Sequence, residues 1–81
     1  MTVRLELDLL ARNLLTEEYP ESESDLTDLG NGRWLLDTTV HQIHGIARFY
    51  AGLAEHIHIL DAPELEVHAK DYFRRALENL G

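Results

Sequence analysis

Ser24-Asp-Leu-Thr-Asp-Leu-Gly30-Asn31-Gly32-Arg-Trp-Leu-Leu-Asp-Thr-Thr-Val40 decides the fold. Two runs flank a Gly-Asn-Gly centre, whose residues readily take the positive φ angles that a tight hairpin demands. The second run, Arg33 to Val40, alternates. Trp34, Leu36, Thr38 and Val40 fall on one face, and Arg33, Leu35, Asp37 and Thr39 on the other. The first run, Ser24 to Leu29, is polar and acidic, which suits an edge strand because charge discourages pairing with other chains.

Upstream, Thr16 to Ser24 is polar, holds Pro20 and lacks periodicity, so it reads as an exposed acidic loop. Before it, Leu9, Leu10, Asn13 and Leu14 recur at helical spacing, and Asp8 stands where a capping residue belongs. Thr2 to Asp8 alternates strictly, with Val3, Leu5 and Leu7 on one face and Arg4, Glu6 and Asp8 on the other, the pattern of a half-buried strand.

Downstream, Ile43, Ile46, Ala47, Tyr50 and Leu53 predict a helix from about Gln42 to Glu55. His56 to Leu60 alternates as a short strand. Asp61, Pro63 and Glu64 read as a helix start with an Asp cap. The last helix then runs to about Leu80, with Leu65, Ala69, Tyr72, Phe73, Ala76, Leu77 and Leu80 on one face. The order is β-α-β-β-α-β-α. Its first six elements are the split βαβ of a ferredoxin-like, two-layer α+β sandwich, and the seventh is an additional C-terminal helix. The first and third strands, the most apolar, are expected in the centre.

Composition narrows the function. The chain has 81 residues, a formal charge of −8 and no cysteine. One domain fits this length. Disulfide scaffolds, thiolate metal sites and cysteine nucleophiles are excluded. Six acids (Glu17, Glu18, Glu21, Glu23, Asp25 and Asp28) lie in one stretch without a base, leaving −2 of the −8 for the rest. This balance disfavours direct contact with a phosphate backbone. No segment reads as a signal peptide, and none approaches the ~18 apolar residues of a membrane span.

No nucleophile elbow, phosphate loop or zinc-protease motif is present, and Gly30-Asn31-Gly32-Arg33 is better explained as a turn than as an anion cradle. The sequence is therefore read as non-enzymatic and without a cofactor. The five histidines are expected at the surface or in domain contacts, because a metal centre needs three or four convergent ligands. The inward alternation turns Arg4, Glu6, Asp37, His56 and His58 to the open sheet face, a candidate surface for a small polar ligand or another domain. That face carries one Arg and no aromatic, unlike an RNA-stacking sheet. The last helix has more apolar positions than a small two-layer domain readily covers, so Leu65, Tyr72 and Leu77 are candidate interface residues.

Several features occur together in a familiar order. They are the strand VRLELD, the helix LLARNLL, Tyr19-Pro20 before a Ser, the alternating strand after Gly32, and Arg48-Phe49 in the second helix. A short strand, Pro63-Glu64-Leu65 and a long helix with Arg74-Arg75-Ala76 follow. In this the chain resembles the C-terminal extension domain (WCX) of bacterial WYL-domain transcriptional regulators. Ala54-Glu55 stands where that family commonly has Gly-Pro, and an acidic stretch replaces its Ser-Gln. The resemblance implies a cytoplasmic, non-catalytic domain of a longer regulator. Its partners would be a WYL core, a helix-turn-helix domain and a second subunit, with DNA reached only through those other parts and no membrane involved. The alternative is a stand-alone ferredoxin-like module that binds a small ligand on its open sheet face.

Overall fold

A computed structural model describes all residues from Met1 to Gly81. Strand β1 (Thr2–Asp8) leads into helix α1 (Leu9–Glu18), and a 3-10 turn (Pro20–Asp25) leads into β2 (Leu26–Gly30) and β3 (Arg33–Thr39). Helix α2 (Ile43–Gly52), a short 3-10 turn (Ala54–His56), β4 (Ile57–Asp61) and α3 (Pro63–Leu80) follow. The strands form one antiparallel sheet in the order β2-β3-β1-β4. This is the α+β arrangement of a ferredoxin-like sandwich with a C-terminal helix, and β1 and β3 are central as their composition predicts.

Alternation translates directly into burial. Val3, Leu5 and Leu7 of β1, Leu36 of β3 and Ile57 of β4 enter one apolar cluster with residues of all three helices, and no polar side chain is buried. Asn31 and Gly32 have φ angles of 56° and 73°, and Gly30 and Arg33 face each other across them. Both central residues are thus left-handed, as a two-residue hairpin turn requires. Gly30, at φ 85°, follows a bulge at Leu29 and donates its amide to Asp28 Oδ1 at 2.8 Å. The amino group of Met1 donates to the Val40 carbonyl at 2.9 Å, extending the β1–β3 ladder past its last strand residues.

The helices depart from the sequence reading in phase and length. In α1 the buried residues are Ala11 and Leu15, while Leu9, Leu10 and Leu14 are exposed. The phase is set by Asp8, which accepts the Ala11 amide at 2.9 Å and so fixes how the chain leaves β1. The helix also runs three residues into the expected loop, and the 3-10 turn that follows takes in Ser24 and Asp25. In α2, Phe49 joins Ile43 and Ile46 inside, while Ala47 and Tyr50, and Leu53 just beyond the helix, are half-buried. That helix ends at Gly52, a poor helix former, and tightens into the turn Ala54–His56.

His56 therefore precedes β4 rather than opening it. Asp61 belongs to β4, opposite Arg4, so the position before α3 is Ala62, with no side-chain cap. Helix α3 packs on α2 through Leu65 and Ala69, which are buried, and through Phe73, whose ring lies edge-on to Tyr50 at 6.4 Å. Leu65 is 0% exposed and is a core residue, not an interface residue. Each turn of α3 after Phe73 faces solvent.

Candidate functional site

The outward residues of β1, β3 and β4 share the open face of the sheet. Arg4 lies opposite Asp37, with Nε 3.6 Å from Oδ2. Glu6 lies between Leu35 and His58, and Arg33 reaches it with Nε 3.1 Å from Oε2. Four of the five predicted residues, Arg4, Glu6, Asp37 and His58, are thus brought together. Arg33 completes the set, and its place in the alternating run Arg33, Leu35, Asp37 was the signal for it. The charges are largely spent on one another, in exposed pairs worth ~0–1 kcal/mol each.

His56 lies off the strand, in the turn before β4, and meets this face only at its end, at Asp8 opposite Arg33. Its Nδ1 meets Asp8 Oδ2 at 2.6 Å, while the other oxygen of Asp8 caps α1. The Ala11 amide holds the Asp8 carboxyl below its usual range. Partial burial opposes this, and the His56 contact adds to the lowering. No group of three or more His, Asp or Glu side chains converges as a metal site would require. His44 and His68 meet edge-to-face at 5.5 Å between α2 and α3.

A second surface is apolar. On α3, Tyr72, Leu77 and Leu80 are 51%, 68% and 83% exposed. Phe73 lies between them and the body, where it helps line a recess of ≈360 Å³ together with Ala51, Leu53, Ala54 and His56. On the same helical turns, Arg74 bridges Asp71 at 2.6 Å and Glu78 at 2.9 Å, and Arg75 meets Asp71 at 3.0 Å. These i,i+3 and i,i+4 pairs support the helix with its apolar residues uncovered. The hydrogen bond from Arg74 lowers the pKa of Asp71, and the same bond raises that of Arg74.

The helical layer also holds two clefts separated by Tyr19. The larger, ≈520 Å³, is lined by Glu17, Glu18 and Arg48 as well as Phe49 and Leu53. The smaller lies over the core on the other side of the ring. The Tyr19 ring is edge-on to Phe49 at 6.4 Å. Comparison with known proteins finds no matching family model, no matching curated protein and no matching solved structure.

Proposed function

We propose that this chain is a non-catalytic interaction module, the C-terminal extension of a WYL-type transcriptional regulator working in the cytoplasm. Its role is to dock against the WYL core, the helix-turn-helix part or a second subunit, and to pass effector binding on to the DNA-binding part. The observation that carries this reading is the uncovered apolar end of α3, with Tyr72, Leu77 and Leu80 in solvent beside the Phe73 recess. Exposed apolar surface of this kind marks partner sites. An ordinary interface covers ~800 Å² per partner, more than the free end of α3 supplies, so a docking face of that size would extend over the recess. The order of sequence features shared with the WCX domain favours a regulator over other partners. On the open sheet face the mutual pairing of Arg4 with Asp37 and Arg33 with Glu6 leaves less free charge for a ligand.

The test begins with the native protein. An antibody to this domain is expected to detect a chain of ~300 residues, three domains of ordinary size. In that protein, Tyr72→Glu with Leu77→Glu is expected to weaken subunit association in sedimentation and to lower operator affinity or its response to effector. A native protein of only this length, or a double variant that assembles and binds DNA unchanged, overturns the reading.

A further inference from the structure

The smaller cleft beside Tyr19 has the make-up of a binding site. It measures ≈360 Å³ and lies between the 3-10 turn Pro20–Asp25 and the start of α2. That volume is within the ~300–1,000 Å³ usual for small-molecule sites. Its floor is the domain core, formed by Leu15, Leu36 and Ile46, all buried. The half-buried Tyr19 makes one wall, and its hydroxyl has no hydrogen-bond partner within the protein.

The polar lining is of one sign. Glu21 and Asp25 contribute its only charges, both carboxylates, and Ser22, Thr38, Thr39 and Gln42 complete the polar lining. The hydroxyls of Ser22 and Thr38 are engaged. Ser22 donates to the Tyr19 carbonyl at 2.6 Å, and Thr38 donates to Asp25 Oδ2 at 2.9 Å. The second bond fixes the Asp25 carboxylate and leaves its Oδ1 unpaired. No Lys, Arg or His lines the cleft. Arg12, on α1, is turned to Glu23 and the face of Trp34. An apolar floor under a rim of carboxylates, with no cation to neutralise it, suits one class of ligand.

We propose that this cleft binds an organic cation, a primary ammonium on a compact apolar skeleton. The ammonium donates to Asp25 Oδ1 and Glu21. The skeleton lies on Leu15, Leu36 and Ile46 against the Tyr19 ring. Anions are repelled by the rim and by the charge of −8. Gly45 keeps the wall in place, because a Cβ there would stand 3.3 Å from Tyr19 Oη. This site is separate from the α3 face, so its failure would leave the interaction reading untouched.

The experiment titrates the whole chain with 2-phenylethylammonium, 2-phenylethanol and phenylacetate, followed through methyl NMR signals. The ammonium is expected to shift Leu15, Leu36 and Ile46 saturably. The alcohol should bind about tenfold or more weakly, the usual worth of a charge-assisted hydrogen bond, and the carboxylate should not bind. Asp25→Asn should weaken the ammonium by a similar factor. Gly45→Ala removes no charge and should fold at least as stably while losing affinity by crowding Tyr19. Equal binding of amine and alcohol overturns the proposal. So do shifts spread over the acidic surface instead of the cleft methyls, and so does the absence of any saturable shift at millimolar probe.

Discussion

Asp8 joins two parts of the chain that are 48 residues apart. One oxygen caps α1 at Ala11 and the other holds His56. Asp8→Ala removes both partners and is expected to cost ~1–2 kcal/mol in urea denaturation, whereas Asp8→Asn keeps a competent cap and should cost less. The carboxyl is lowered from its ordinary 3.8, first by the Ala11 amide and then by His56. A lowered acid contributes stability above its unfolded pKa and loses it as pH falls through the folded one. The gap between wild type and Asp8→Ala should therefore be widest at pH 6 and narrow as pH falls through the lowered pKa, keeping the part that a neutral cap still supplies. The capping role was legible, because Asp8 ends an alternating run just before a helical one. The His56 contact was not, because nothing local ties a residue to a turn formed much later in the chain.

At the scale of elements, period decides what can be read. A strand offers two faces, and the apolar set of β1 leaves no doubt which is inward. Helix α1 carries leucines on several sides, so spacing favours Leu9, Leu10 and Leu14 while the structure buries Ala11 and Leu15. Leu15→Ala is expected to cost ~2–5 kcal/mol as a buried truncation, and Leu9→Ala to stay within ~0.5 kcal/mol. The same contrast applies along α3. Leu65→Ala should be as damaging as Leu15→Ala, while Leu77→Ala should leave the thermal midpoint of the isolated domain nearly unchanged. Asp61 was misread for a related reason. Asp before Ala-Pro is a good cap in isolation, but β4 reaches far enough to pair Asp61 with Arg4, and pairing took precedence.

For the whole molecule, the order of elements was enough to give the sheet. A central β1 and β3 with edges at β2 and β4 follows from which strands are apolar and from the hairpin. The clefts beside Tyr19 were not legible, because they depend on how the end of α1, the 3-10 turn and α2 stand against one another. The free end of α3 was half-legible. Its apolar stripe is plain in sequence, but where cover stops depends on the length of α2, which ends near the level of Phe73.

That boundary within α3 divides one helix into two regimes of motion. Amides around Leu65 and Ala69 lie under the buried half, so their hydrogen exchange with solvent is expected to need opening on the scale of the domain. Those beyond Phe73 have no neighbour to hold them and should exchange through fraying of a few turns. A protein that docks on Tyr72, Leu77 and Leu80 slows only the second set. The exchange profile of this one helix therefore reports whether the partner is in place, with the anchored turns as the internal reference.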